Sequence, residues 1–370
     1  MKPLTSVQGL RALAALGVLM FHACQWSGMD FAVGAAGVDL FFLISGFVLW
    51  LSAERAPPSP AAFLAARAVR VAPMYWLWTL IIAALAWRWP AMLPVVHLTA
   101  RHAILSLAFV PHPDPWGGPF PLLPSGWTLT YEAFFYLVFA FSLALPRDRR
   151  FQALAVMLTI TSLIGFAYHR WYTLLANPLL LEFLAGAALA RAWRSGTLGR
   201  LGGTRTGFAA IAVGVMLLAL QQALGVRSDF WRPLIFGAPA FLILSGALKL
   251  EGALRRGGAM SAAIVRLGDA SYSLYLCHLP VVAVVLALTP GLAGPSRAAL
   301  TVPLALAIGL AAYSWIERPV TEGLRRRLGS GQPQPLTVPA RRAATAVTGA
   351  RRIGAGLGSG EGRPNRKPWP

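Results

Sequence analysis

Long apolar runs are the feature that most constrains the fold of this chain. Of its 370 residues, 56% are hydrophobic and only 12% are charged, far from the balance of a soluble domain. A run of roughly 20 mainly apolar residues is enough for one helix to cross a bilayer. The sequence therefore predicts an all-α, polytopic membrane protein with about ten transmembrane helices. The predicted spans lie near residues 7–26, 35–53, 74–90, 127–145, 151–168, 173–191, 207–224, 233–250, 270–288 and 298–316.

Positive charge alternates between the connections of these spans. The formal net charge of +20 could suggest a nucleic-acid partner, but the arginines cluster in every second connection and in the C-terminal tail. Lys and Arg are retained on the cytoplasmic side of a membrane, so this pattern indicates topology and no nucleic-acid partner. It predicts an even number of spans, with both termini in the cytoplasm. The predicted inner connections carry Arg55, Arg67, Arg70, Arg147, Arg149, Arg150, Arg194, Arg200, Arg205, Arg255, Arg256, Arg266, Arg325, Arg326 and Arg327.

Two stretches fall outside the apolar pattern. Residues 91–126 form the longest predicted outer connection, and its PHPDPWGGPFPLLPSGW segment is too rich in Pro and Gly to be expected to form a helix. Loops of this length usually bind something or cover a site. From residue 328 the chain is rich in Gly, Pro, Arg and Thr and cannot bury enough apolar surface to fold. We expect a membrane-embedded domain over residues 1–327 and a disordered basic cytoplasmic tail over residues 328–370, resting on anionic membrane lipid.

The two cysteines give no sign of a disulfide or a metal site. Cys24 and Cys277 both lie in predicted spans among apolar residues, which predicts buried thiols. No metal-ligand spacing accompanies them, so no metal is expected. The first apolar segment lacks a small-residue cleavage site and is interrupted by Arg11, so we expect a retained helix and not a signal peptide.

Arg11 and His22 are the ionisable residues of the first predicted span, GLRALAALGVLMFHA. Ionisable side chains within a membrane are costly and usually functional. Eleven residues are almost three helical turns, so both side chains lie on one face, about 16 Å apart along the axis. His22 is a candidate general base or nucleophile. The alternative is a buried histidine bonded to a backbone carbonyl.

Two acidic residues are predicted at the membrane depth of His22. Asp39 begins the second span at its outer end, and Glu132 lies about one and a half turns into the fourth. If these helices pack together, a carboxylate can hold the tautomer of His22 and stabilise its protonated form. Alternatively, Asp39 only favours the helix dipole, and Glu132 pairs with a structural arginine.

Arg67 and Arg70 form a second candidate site at the inner surface. They lie three residues apart, on one face if the segment is helical, next to the start of the third span. The fixed fork of guanidinium donors suits phosphate oxygens, so a phosphate-bearing donor could be anchored at this pair and reach past Arg11 towards His22. The alternative is that both arginines only determine topology.

The other polar residues of interest are histidines and one glutamate. His278 and Glu182 are predicted to face the interior of the helix bundle, and their roles are open. Four further histidines lie in or beside connections and are predicted to be solvated. These are His97, His102, His112 and His169.

Five ordered motifs resemble the membrane acyltransferase-3 family, the bacterial O-acyltransferases that modify surface polysaccharides. They are GLRALAALGVLMFHA, GVDLFFLISGFVLW, RAVRVAPMYW, SGWTLTYEAFFY, and LGDASYSLYLCHLP followed by YSWIERP. The resemblance spans residues 3–320, and NPLLLEFLAGAALA resembles the branch that modifies exopolysaccharide.

The resemblance implies a ten-helix protein of the bacterial inner membrane that uses cytosolic acetyl-CoA as acyl donor. It marks Arg11 and His22 as the essential pair and Arg67 and Arg70 as the donor-binding pair, and it adds weight to Asp39 and Glu132 as catalytic residues. Many relatives carry an extracytoplasmic domain that completes the transfer. This chain has only its short basic tail, so the membrane domain or a separate extracytoplasmic partner would have to complete it.

The expected function is transfer of an acyl group, acetyl in the commonest case, to a hydroxyl of a cell-surface or exported polysaccharide. The same membrane domain could also acylate a lipid-linked or secreted small-molecule acceptor, so these acceptors stay open as alternatives. Two other classes stay open at this point. A secondary transporter would use intramembrane ionisable residues as a substrate path, and a receptor would only bind glycan or lipid.

Overall fold

The computed structural model describes residues 4–93, 96–168, 177–226, 228 and 231–328, and every regular element in this part of the chain is helical. The all-α prediction is confirmed for these residues. Apart from Leu328, the predicted tail lies outside them, as does His169. The α-helices are α1 (Thr5–Gln25), α2 (Ala36–Arg55), α3 (Pro60–Arg88), α4 (Ala100–Leu107), α5 (Trp127–Leu143), α6 (Arg150–Tyr168), α7 (Leu180–Arg194), α8 (Thr197–Arg200), α9 (Thr204–Leu224), α10 (Ala238–Lys249), α11 (Glu251–Leu254), α12 (Gly258–Asp269), α13 (Ser271–Leu288), α14 (Gly294–Ala312) and α15 (Arg318–Arg327).

Six helical segments of the described chain are long and apolar enough to cross a membrane, which indicates a multi-pass membrane protein. They are Thr5–Gln25, Ala32–Arg55, Pro60–Arg88, Thr204–Leu224, Ser271–Leu288 and Gly294–Arg327. Within the described residues each of the ten predicted spans overlaps a helix, although α7 begins only at Leu180. The count of ten spans and the cytoplasmic position of both termini stay predictions.

The start of α3 differs most from the predicted spans, because the helix begins at Pro60 and not at residue 74. The Ser59 side chain caps it by accepting a hydrogen bond of 3.2 Å from the backbone N–H of Ala62. Pro73 lies inside the helix and does not end it. The predicted boundary was wrong because a proline removes only one helical hydrogen bond, which tertiary packing can outweigh. Arg67 and Arg70 therefore lie on the helix itself.

The long connection between α3 and α5 is mostly irregular, as predicted for its Pro-rich part, but it contains α4. Thr99 caps this helix by accepting a hydrogen bond of 3.1 Å from the backbone N–H of His102. His102 and His112 are both buried, so the prediction that they are solvated was wrong. Burial is tolerated because the two imidazoles bond to each other, with 2.7 Å between His102 Nδ1 and His112 Nε2.

The segment containing α2 is the most enclosed of the six candidate spans: 72% of it is buried, against 17% for α9. Glycines let α2 and α7 pack with their backbones in close contact. A methyl group added at Gly46 would overlap the carbonyl oxygen of Phe183, and one added at Gly186 would overlap that of Leu43. The helix that carries Asp39 is thus held at the centre of the bundle.

A distant carboxylate fixes the start of α1, the helix that carries Arg11 and His22. The buried Glu251 accepts hydrogen bonds from the backbone N–H groups of Thr5, at 3.0 Å, and Ser6, at 2.8 Å. A negative charge at a helix N-terminus also interacts favourably with the helix dipole. Cys24 and Cys277 are buried, free thiols, as predicted.

Candidate active site

Three neighbouring cavities contain most of the ionisable residues that the sequence singles out. The first, here called the arginine cavity, has a volume of about 140 Å³ and is lined by Arg11, Arg67, Arg70 and Glu132. The second, the central cavity, has a volume of about 410 Å³ and is lined by His22. The third, the loop cavity, has the same volume and lies between His22 and the long connection.

Arg70 is anchored in the arginine cavity by a partner that the sequence analysis missed. Its guanidinium forms an ion pair with Glu317, which is fully buried. Ser273 donates a hydrogen bond of 2.6 Å to the other carboxylate oxygen of Glu317. Glu317 ends the widened helical turn between α14 and α15, a deviation that is frequent at functional sites. In the sequence, Glu317 is marked only by its place in the YSWIERP motif, which does not show that it pairs with Arg70.

Arg67 and Arg11 are held more loosely than Arg70. The Arg67 guanidinium lies 5.7 Å from the centre of the Phe63 ring, its Nε has no hydrogen-bond partner, and it forms no ion pair with a described residue. Arg11 Nε donates a hydrogen bond of 3.2 Å to the Ser271 hydroxyl. Its guanidinium shares the cavity with Arg67 and Arg70, and it shares α1 with His22.

Glu132 lies in the arginine cavity and does not bond to His22. Its Oε1 accepts hydrogen bonds from the Ser45 hydroxyl, at 3.1 Å, and from the Tyr136 hydroxyl, at 2.5 Å. Counting Glu317, the three guanidinium groups face two carboxylates, so the cavity carries a net positive charge. Such a cavity can hold a phosphate group.

Asp39 is fully buried and lines none of the three cavities. Both its oxygens accept hydrogen bonds from Arg232, at 3.1 and 2.7 Å. Arg232 also donates to the carbonyl of Ala35 at 2.8 Å, which ties the start of α2 to the segment before α10. The structure thus brings neither predicted carboxylate to His22, and a catalytic role for Asp39 or Glu132 stays a prediction.

His278 is the residue that the structure does bring to His22. The two imidazole rings stack, with 5.1 Å between centroids and 29° between planes. His278 is buried, and its Nδ1 lies 2.5 Å from the carbonyl oxygen of Tyr275. A carbonyl only accepts, so Nδ1 carries the proton and Nε2 keeps a lone pair. His22 Nδ1 and His278 Nε2 both lack a hydrogen-bond partner in the described chain.

His22 lies where the central and loop cavities meet, since both cavities are lined by His22 and by Gln25 one turn later. The arginine and central cavities share Val38 and Tyr275 as lining residues. Tyr275 is held in place because its hydroxyl donates a hydrogen bond of 3.0 Å to the carbonyl of Ser125 and shares one of 2.9 Å with the Thr128 hydroxyl. The three cavities therefore follow one another from the guanidinium groups to the long connection.

Residues 4–315 match the family model described as an acyltransferase domain. The chain belongs to the acyltransferase-3 family. It is 38% identical over 327 residues to the exopolysaccharide production protein ExoZ of Rhizobium meliloti (strain 1021), covering 85% of this chain and 98% of that protein. It is 27% identical to the putative membrane-bound transacylase BcsY of Komagataeibacter xylinus, covering 84% and 81% of the two chains. It is 26% identical to the acyltransferase MdmB of Streptomyces mycarofaciens, covering 90% and 96%. No solved structure matches the chain.

Membership of this family makes the protein an acyltransferase that needs an acyl donor. Within the described residues, no group of three or more His, Cys, Asp or Glu side chains is placed to hold a metal ion. The polar groups that line the cavities are imidazole, guanidinium, carboxylate, amide, hydroxyl and indole N–H groups.

Proposed function

We propose that this protein is an inner-membrane O-acyltransferase that moves an acetyl group from cytosolic acetyl-CoA to a hydroxyl of an exported polysaccharide. The observation that carries the proposal is the series of three adjoining cavities, with guanidinium groups at one end and His22 further along. ExoZ is named for exopolysaccharide production, which supports a glycan as acceptor. We further propose ten spans with both termini in the cytoplasm, so that the arginine cavity opens to the donor.

The arginine cavity is the proposed site for the phosphates of acetyl-CoA. Arg67 has no carboxylate partner among the described residues and is the guanidinium available to a phosphate. Arg70 is oriented by Glu317 and contributes its remaining N–H donors. Arg11 shares α1 with His22, on the proposed path of the thioester. The cavity suits the charge of the donor, whereas a neutral acceptor would gain nothing from it.

His22 is the proposed catalytic residue. In direct transfer, its imidazole takes the proton of the acceptor hydroxyl while the oxygen attacks the thioester carbonyl, and the C–S bond breaks to release CoA. In the alternative, His22 attacks the thioester first and CoA leaves as the C–S bond breaks; the acceptor hydroxyl then displaces the acetyl group from the imidazole, which takes the hydroxyl proton. In both, His278 is a positioning residue whose stacked ring restricts the rotation of His22.

Purified protein in lipid vesicles tests this proposal. The probes are labelled acetyl-CoA and oligosaccharides from the host's own exopolysaccharide, stripped of acetyl groups by mild alkali. We expect acceptor-dependent release of CoA, reduced by about 10²- to 10⁴-fold in His22→Ala, as is usual for loss of a general base. Leu13→Ala is the control for a truncation on the same helix, because the Leu13 side chain is 63% exposed and lines none of the three cavities.

The same assay separates the open alternatives. A receptor would bind glycan without releasing CoA, and a transporter would accumulate substrate in the vesicles without consuming acetyl-CoA. Release of CoA that depends on a lipid-linked precursor, but not on the oligosaccharide, would move the proposal to that acceptor. Normal acceptor-dependent release in His22→Ala would contradict the assignment of His22.

A further inference from the structure

The loop cavity differs in chemistry from the rest of the proposed route. None of its described lining residues is Lys or Arg, and Asp114 is its only acidic residue. The remainder of its wall is mainly aromatic, aliphatic, proline and histidine. Its volume of about 410 Å³ falls within the usual range of about 300–1,000 Å³ for small-molecule sites. A phosphate or diphosphate group would find no cation in this wall.

One hydrogen-bond acceptor of this cavity is oriented by the buried pair of His102 and His112. His112 Nδ1 lies 2.8 Å from the carbonyl oxygen of Val110, so it carries a proton and leaves Nε2 as an acceptor. His112 Nε2 accepts a hydrogen bond of 2.7 Å from the N–H group at His102 Nδ1. The remaining nitrogen, His102 Nε2, therefore presents a lone pair. Burial, followed by the neighbouring imidazole of His112, lowers the pKa of His102 below its ordinary value, which keeps the ring neutral at pH 7.

An ordered turn places the ring of Trp116 in the same cavity as this acceptor. Asp114 Oδ1 accepts hydrogen bonds from the backbone N–H groups of Trp116, at 2.7 Å, and Gly118, at 2.9 Å. The Trp116 ring packs edge-on against His97, with 4.4 Å between centroids, and is 71% exposed. Phe120, 41% exposed, lines the same cavity. An exposed ring next to a fixed hydrogen-bond acceptor, without a cation, complements a sugar, whose C–H face is apolar and whose hydroxyls donate.

We propose that the loop cavity binds one neutral sugar residue of the acceptor, with the sugar ring against Trp116 and a sugar hydroxyl donating to His102 Nε2. This inference rests on the proposed function. Because His22 lines the same cavity, a sugar held there presents another of its hydroxyls to the reacting imidazole. The loop cavity then selects the acceptor, and the arginine cavity selects the donor.

Steady-state kinetics of Trp116→Ala with the de-acetylated oligosaccharide test this site. We expect the KM for the oligosaccharide to rise about tenfold, while kcat and the KM for acetyl-CoA stay within twofold of wild type. Trp116→Phe keeps an aromatic ring and should recover most of the affinity. Trp87→Ala is the matched control, because Trp87 is 79% exposed and lines none of the three cavities. His102→Gln should also raise the acceptor KM.

The position of the product's acetyl group gives a second readout. Linkage analysis should find it on a neutral sugar residue, whereas acetylation confined to an acidic sugar would overturn the inference. An unchanged acceptor KM in both Trp116→Ala and His102→Gln, with wild-type turnover intact, would also overturn it while leaving the proposed function standing. If the wild-type protein releases no CoA in response to the acceptor, the result would instead contradict the proposed function on which the inference rests.

Discussion

The arginine cavity and the loop cavity show how one bundle provides two chemically different sites. The arginine cavity is lined by three guanidinium groups, one of them locked by a buried carboxylate. The loop cavity has no described Lys or Arg in its wall and exposes aromatic rings beside the oriented imidazole of His102. His22 lines the loop cavity and the central cavity, but not the arginine cavity. Under the proposed function, two different substrates would approach the imidazole from these two sides.

The largest expected effect comes from breaking the ion pair behind the arginine cavity. Arg70→Leu leaves the fully buried Glu317 carboxylate without its cation, and losing one partner of a buried pair costs about 3 to 5 kcal/mol. We expect this loss in the free energy of unfolding, measured by detergent denaturation. The double variant with Glu317→Gln should recover most of the stability but not the affinity for acetyl-CoA. Equal stability of Arg70→Leu and wild type would show that the ion pair of Arg70 and Glu317 does not stabilise the structure around the arginine cavity.

Asp39→Asn is expected to have a similar effect beside the central cavity, which is lined by its partner Arg232. It removes the negative charge that holds Arg232, whose side chain is only 12% exposed, and should cost about 3 kcal/mol of stability. Arg232→Gln should cost about the same, and the double variant should be less destabilised than the sum of the two. If Asp39 is instead a catalytic residue, Asp39→Asn will lose turnover at unchanged stability. That result would contradict a structural role for the pair of Asp39 and Arg232.

The pairing of these charges marks the limit of what could be predicted from the sequence. Hydropathy and helical spacing placed Arg11 and His22 on one helix, because helical geometry is local. They could not show that Glu317 meets Arg70, that Arg232 meets Asp39, or that His278 stacks on His22, because these contacts join residues far apart in the chain. Shared depth led to the prediction of a carboxylate beside His22, but depth fixes neither which helices are neighbours nor which face of a neighbouring helix carries the side chain: α1 and α2 pack together, yet Asp39 bonds to Arg232.

Arg67→Ala should separate donor binding from stability. Arg67 has no ion-pair partner among the described residues and loses only its contact with the Phe63 ring, so its removal should change the free energy of unfolding by about 1 kcal/mol or less. The KM for acetyl-CoA should rise about 10- to 100-fold, as expected for a lost charged hydrogen bond. Arg205→Ala, at an exposed arginine outside the cavities, should leave this KM unchanged. A rise in the acceptor KM alone would reverse the assignment of the two cavities.

The smallest expected effect concerns the wall between the arginine and central cavities. Tyr275→Ala removes the ring that both cavities share and gives the acyl chain more room. We expect the ratio of kcat/KM for butyryl-CoA to that for acetyl-CoA to rise about tenfold. This is the size of change in kcat/KM that one or two methylene groups usually cause in an apolar pocket. Tyr275→Phe keeps the ring and should leave the ratio near that of wild type. An unchanged ratio in Tyr275→Ala would mean that the acyl group does not pass this residue.

The central claim is that donor and acceptor reach His22 from opposite faces of the membrane. Vesicles containing the protein, with the oligosaccharide enclosed and labelled acetyl-CoA outside, test it most directly, because neither substrate crosses the bilayer unaided. We predict labelled oligosaccharide inside the intact vesicles, and none with His22→Ala. Labelling only when both substrates are placed on the same side would contradict the account.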